Sequence, residues 1–268
     1  MWGFLDCSRY FMKFGVPKIV LDNASMAVAS HEKVGLLAAP GAGKSTIIRL
    51  LAGVDTPNSG EVIRDQGGWP LAYGGGFRPE MTGEDNVRMV AGFAGLDADD
   101  FCAFCAGFAE LGDAFFVPLL LYTGAMRTRL AFAVSLGVPA RTYLADERLI
   151  AGDPAFQEKC QAALDERLET AGLILVASNP RALETACERF AVLSRGKIIM
   201  CEDIDEAKSL LTFDMQHGGE EEAIEDMLAS FDLACAERTQ ERNTENEQRR
   251  AHQKVEGAAD LPVPARPA

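Results

Sequence analysis

Short unbroken apolar runs take turns along this chain with longer segments whose apolar residues recur at helical spacing. "PKIVLDNASMAVAS" and "EKVGLLA" predict strands, and "GKSTIIRLLAG" predicts a helix closed by Gly53. From Thr82 to Val138 the pattern is helical almost throughout, punctuated by glycine. "RTYLAD" and "GLILVAS" are again short apolar runs, separated by the helical segment "PAFQEKCQAALDERLETA". This rhythm predicts an α/β fold with a parallel sheet covered by helices. "RFAVLSRGKIIMCED" predicts a terminal hairpin that turns at Arg195-Gly196-Lys197.

The pattern changes near His217. The segment that follows is charged, and the last residues, "AADLPVPARPA", are rich in Pro and Ala. Ile224, Leu228, Phe231 and Cys235 keep a helical spacing, so the expected division is residues 1–212 as a folded domain and 213–268 as a tail. Within that tail a short helix is expected first and disorder after it.

Composition narrows the classes. With 48% hydrophobic and 25% charged residues the chain is ordinary globular material, long enough for a sizeable core. A formal net charge of -14 lacks the basic footprint of a nucleic-acid binder. Nothing resembles a membrane span or a signal peptide. Seven scattered cysteines predict reduced thiols. Cys102 and Cys105 form a C-x-x-C in an apolar helical segment, where packing is the expectation rather than metal or redox chemistry. His31, His217 and His252 have no metal-ligand spacing.

"APGAGKST" follows a predicted strand and opens a predicted helix, the context of a phosphate-binding P-loop. Its residues Pro40, Gly41, Ala42, Gly43, Lys44, Ser45 and Thr46 are the candidate phosphate cradle. Gly41 and Gly43 let backbone N–H groups close on phosphate oxygens, Lys44 neutralises charge, and Ser45 offers a hydroxyl to Mg²⁺. The first glycine of the motif is replaced by Ala38, which would cost about 1–2 kcal/mol if that position needs a left-handed backbone. "YLADE" sets Asp146 and Glu147 at the end of a predicted buried strand. There Asp146 can approach Mg²⁺ and Glu147 can polarise an attacking water.

A third element lies between these two. In "LYTGAMRTRLAFAVSL" the residues Met126, Leu130 and Val134 share a helix face, preceded by Thr123, Gly124 and Ala125. Such a start suits either an ordinary capped helix or a helix terminus built to hold phosphate. The face makes Met126, Leu130 and Val134 core and leaves Arg127 and Arg129 at the surface.

The order of P-loop, helical region, hydroxyl-glycine helix start and Asp-Glu strand resembles the nucleotide-binding domain of ABC transporters. "WPLAYGGGFRPEMTGEDNV", "YTGAMRTRLAFAVSL" and "YLADERLIAGD" are similar to one branch of it, the ATP-binding subunits of capsular polysaccharide exporters. The resemblance covers roughly residues 2–212. It implies a P-loop ATPase fold of the ABC type, with a helical signature subdomain over about residues 80–138, and ATP with Mg²⁺ as cofactors. Implied partners are a polytopic membrane permease and a second ATP-binding subunit, in a homodimer or heterodimer. The implied location is peripheral, on the cytoplasmic face of the inner membrane. Soluble ABC proteins that act on DNA need a long coiled coil between P-loop and signature, for which this chain has no room. The tail is too short and polar for a carbohydrate-binding domain.

By the same resemblance Thr123, Gly124 and Ala125 address the γ-phosphate of ATP held by the partner's P-loop. Tyr10 corresponds in position to the aromatic that stacks on adenine, with packing as the competing role. Asp153 keeps the acidic residue that follows the Asp-Glu strand. Four positions depart from the family pattern: Ala38 and Ala125 for glycine, Arg78 for a glutamine, and Ser178 for the histidine that contacts the γ-phosphate. The expectation is therefore an energy-coupling subunit with slow hydrolysis. Its alternative is a catalytically degenerate nucleotide-binding scaffold or regulator.

Overall fold

In the computed structural model, residues 1–13, 16–71, 76–147 and 154–216 are described. Met1–Met215 form one compact unit. Two sheets carry it. The smaller has the order β2-β1-β4, all antiparallel, from β1 (Trp2–Lys13), β2 (Val16–Val28) and β4 (Ser59–Ile63). The larger has the order β5-β6-β7-β3-β8-β9. Its strands β5 (Gly68–Pro70), β6 (Thr142–Asp146), β7 (Gly172–Ala177), β3 (Lys33–Ala38) and β8 (Arg189–Ser194) are parallel, and β9 (Lys197–Cys201) closes the edge antiparallel. All six residues of β7 are buried, as a strand covered on both faces requires.

Helix α1 (Lys44–Leu51) lies between the two sheets. Its Ile47, Ile48, Leu50 and Leu51 share one core with Trp2, Phe4 and Cys7 of β1 and with Leu144, Ile174 and Val176 of the larger sheet. The Trp2 indole N–H donates to Thr142 Oγ1 at 2.9 Å, and its ring fills the space that a Cβ on Gly68 would take. A single indole thus joins the first strand to the β5/β6 edge. Helices α5 (Pro154–Leu168) and α6 (Pro180–Ala186) present Phe156, Leu164, Leu168 and Leu183, all buried.

A second core belongs to the helical region. Here α2 (Gly83–Ala94), α3 (Ala98–Ala109), two short 3-10 turns and α4 (Gly124–Gly137) enclose Val87, Phe101, Cys102, Cys105, Leu119, Leu130 and Val134. Both cysteines of the C-x-x-C are therefore packing residues, and burial pushes the Cys105 thiol upward, away from reactivity. Side chains cap these helices. Thr82 and Asp85 form a reciprocal capping box on α2, Asp97 caps α3, and Thr123 caps α4.

Strand β1 was not legible in the sequence, because its alternation breaks. Trp2 and Phe4 point inward, then Cys7 does, and the register slips between them, at the left-handed Asp6. Gly60 is required opposite this bulge, since a Cβ there would lie 2.1 Å from Asp6 O. The hairpin turn stands where the pattern put it, with Arg195 and Gly196 both at positive φ. Helix α7 (Ile204–Gln216) ends the described region. The tail helix expected around Ile224–Cys235, together with His217, His252 and Asp153, lies outside the described residues.

Candidate functional site

Strand β3 delivers the chain to the phosphate loop. Ala38, its last residue, is fully buried and its backbone is not left-handed, so the replacement of glycine carries no backbone strain. The strain anticipated at this position is absent, because the turn begins only after the strand has ended. The special geometry sits at Gly41 (φ 81) and Gly43 (φ 102). A Cβ on Gly43 would meet Val20 Cγ1 at 2.6 Å. Gly43 is also the N-cap of α1, with no side-chain cap and no acidic residue in the first turn. The other long helices with a described cap carry a side-chain oxygen there; this one keeps its positive end open to an anion.

The two chemistry-bearing elements meet at the carboxyl edge of the larger sheet. Ser45, on α1, donates its hydroxyl proton to Asp146 Oδ2. The other carboxylate oxygen, Asp146 Oδ1, is buried without a partner. A buried, unpaired carboxylate oxygen beside a hydroxyl is a costly arrangement in an apolar setting and a suitable one for a hard divalent cation. The donor set therefore fits Mg²⁺, with Ser45 and Asp146 as the residues to hold it.

Lys44 is 7% exposed, although it is an ammonium. Its Nζ donates to Ala39 O at 3.0 Å and pairs with Glu147 Oε1 at 2.8 Å. Glu147 has a left-handed backbone (φ 59), and its N–H donates to Val176 O at 2.8 Å. Ser178, just past the end of β7, donates its hydroxyl within 3.1 Å of both Glu147 oxygens. Burial pushes the Glu147 carboxyl up, but the hydrogen bonds and charge from Lys44 and the hydrogen bonds from Ser178 outweigh it. The group ends below its ordinary range and stays ionised.

The predicted site residues fall in three places. Pro40, Gly41, Ala42, Gly43, Lys44, Ser45, Thr46, Asp146 and Glu147 come together around one loop. Thr123, Gly124 and Ala125 are exposed at the start of α4, whose own core is the helical one. Thr123 Oγ1 accepts from Met126 N–H at 3.2 Å, so this is a capped helix whose cap and first residues face solvent. Tyr10, on β1, is 44% exposed and pairs across the strands with Ile19, which is 55% exposed. An aromatic this open is available to stack on a ligand.

Leu130 and Val134 are core, and Met126 is half-buried against them. Arg127 is exposed, but Arg129 is not the surface residue its position suggested. Its guanidinium lies 4.5 Å over the Phe156 ring and 3.5 Å from Glu110. Helix α5 packs beside α4 and covers it, which the spacing of α4 alone could not show. Sequence reasoning also missed Asn86. This fully buried side chain accepts from Arg78 N–H and donates to the carbonyls of Arg78, Met81 and Thr82. Nothing in "TGEDN" separates it from its solvated neighbours. Arg78 itself is exposed.

Comparison with known proteins fits this geometry. Residues 21–92 match the family model described as ABC transporter. The ATP-binding protein BexA of Haemophilus influenzae is 40% identical over 202 residues, covering 75% of this chain and 93% of the relative. The capsule polysaccharide export ATP-binding protein CtrD of Neisseria meningitidis serogroup B is 39% identical over 200 residues, covering 74% and 92%. Among solved structures, a dimeric post-hydrolysis state of the ATP-binding cassette MJ0796, bound to ADP and Pi, superposes with a TM-score of 0.62. That match covers 74% of this chain and 96% of the other at 20% identity, which establishes the shared fold.

Proposed function

Because the chain belongs to the ATP-binding proteins of ABC transporters, we propose that it is the energy-coupling subunit of an exporter of capsular or similar cell-surface polysaccharide. The observation that carries this is the assembly of Lys44, Ser45, Asp146 and Glu147 around an uncapped helix terminus. The loop N–H groups and Lys44 would bind the β- and γ-phosphates of ATP. Ser45 and Asp146 would hold Mg²⁺, which supplies charge neutralisation at the phosphates when bound. Glu147 would orient the attacking water and accept its proton, and Tyr10 would stack on adenine.

The start of α4 would address the γ-phosphate of a second subunit. Thr123, Gly124 and Ala125 are exposed at the start of a helix that packs into a different core from that of α1, so a partner copy would supply the complementary half. The dimeric state of the MJ0796 cassette supports this pairing. For the permease, the natural contact is the apolar surface of Phe116, Leu120 and Leu121, exposed by 61%, 61% and 71%. It is joined to the Arg78 loop by hydrogen bonds from Leu119 N–H to Met81 O and from Leu120 N–H to Pro79 O. No described helix is long and apolar enough to cross a membrane. Through that partner the chain would sit on the cytoplasmic face of the inner membrane.

A second reading has its own support. Ala125 adds a methyl at the helix start that would face phosphate, and the Ser178 hydroxyl is engaged with the Glu147 carboxylate. A scaffold that binds nucleotide without turning it over would look like this. ATP binding and turnover by the purified chain, with and without its permease, separate the two. Turnover that Glu147→Gln abolishes supports the energy-coupling role, whereas tight binding without turnover in either state supports the scaffold.

A further inference from the structure

The Lys44 ammonium has three donors, and the Glu147 carboxylate sits on one of them, where its negative charge opposes a second anion. In the structure Lys44 gives one contact to Ala39 O and one to Glu147 Oε1, at 3.0 and 2.8 Å. Nucleotide phosphate entering the loop needs the same ammonium. The Glu147 carboxylate is held in this competing position from the other side. Ser178 Oγ sits 3.1 Å from each of its oxygens. The backbone leaves little freedom, since Glu147 is left-handed and its N–H is tied to Val176 O.

We propose that Ser178 is a positioning residue for Glu147, holding its carboxylate against Lys44 in a latch that nucleotide phosphate must open. Phosphate takes over the ammonium, and the Glu147 carboxylate swings off Lys44 to face a water while still hydrogen-bonded to Ser178. Nucleotide binding and liberation of the glutamate are then one exchange. Ser178 thus acts through Glu147 and needs no contact of its own with phosphate. Lys44 is nearly buried while Glu147 is 40% exposed at its side chain, so the carboxylate is the member of the pair with room to move.

This rests on the nucleotide-binding reading above, and the test separates the two. ADP without added magnesium is titrated into the purified chain by calorimetry, so that Ser45 and Asp146 act without a cation and no hydrolysis intervenes. Glu147→Gln removes the competing charge and is expected to tighten ADP binding about two- to fivefold, the worth of a partly exposed ion pair. Ser178→Ala is expected to tighten it by a smaller factor, Ser178→Thr to restore the wild-type value, and Ser178→Ala to add nothing in the Glu147→Gln background. Equal effects of Ser178→Ala in both backgrounds, or no effect in either, overturn the latch while leaving nucleotide binding intact. A wild-type chain that binds no ADP overturns both.

Discussion

The side-chain amide of Asn86 brackets the peptide unit of Arg78, accepting from its N–H at 2.7 Å and donating to its carbonyl at 3.0 Å. Two more donations, to Met81 O at 3.3 Å and Thr82 O at 2.8 Å, tie the loop that leads out of the sheet to the first turn of α2. Every polar atom of this buried amide is used.

Replacing Asn86 by Leu therefore strands the Arg78 N–H, while the carbonyls of Arg78, Met81 and Thr82 each fall back on the single backbone donor they already have. A loss of about 1–3 kcal/mol in urea unfolding is expected. Asn86→Asp keeps the acceptor, loses the donors and should be nearly as damaging.

Gly43→Ala meets two obstacles, a left-handed backbone and Val20 Cγ1 at 2.6 Å. Phosphate-loop geometry and ADP affinity should both fail, with about 1–3 kcal/mol lost in stability. Adding Val20→Ala relieves only the contact, so calorimetric ADP affinity should recover in part and never fully.

Arg129→Ala removes the cation over Phe156 and the ion pair to Glu110, and about 1 kcal/mol of stability should go with them. Arg129→Lys should recover less than half, since an ammonium lacks the planar face that stacks on the ring. Thermal unfolding of the three chains is the measurement.

Stability should fall in acid through Glu32. Burial pushes its carboxyl up, but the Ala29 N–H and the Arg189 guanidinium, at 2.7 and 2.6 Å, bring it below its ordinary 4.5. The native state thus favours the ionised form, and the stabilisation is complete above about pH 4.5 and lost as pH drops through the lower native value. Wild type should exceed Glu32→Gln by about 1 kcal/mol at neutral pH, with the gap closing in denaturant titrations below pH 4.

Leu121→Ser, at a residue 71% exposed, should leave unfolding and ADP affinity unchanged. If Phe116, Leu120 and Leu121 dock the permease, this change should weaken co-purification with it several-fold. An unaffected complex would move the docking surface elsewhere.

The phosphate loop, the Asp146–Glu147 strand end and the helical spacing of α4 were all legible along the chain. Each is a local pattern: glycines where φ must be positive, a buried apolar run ending in carboxylates, apolar residues on one helix face. Strand β1 was not legible, because the bulge at Asp6 moves the inward position from even to odd residues. A single extra residue erases the alternation by which a strand is recognised.

By itself the sequence determined the α/β order of elements, the cradle around Lys44 and the family to which these parts belong. Only the tertiary structure decided what those parts touch. It placed Ala38 in an unstrained strand, put Arg129 under α5, and aimed Ser178 at Glu147 rather than leaving it as a missing imidazole. The reason is physical. Backbone conformation and amphipathic faces arise from neighbours a few residues apart, whereas Glu147 and Ser178, 31 positions apart, meet only because β6 and β7 pair in register.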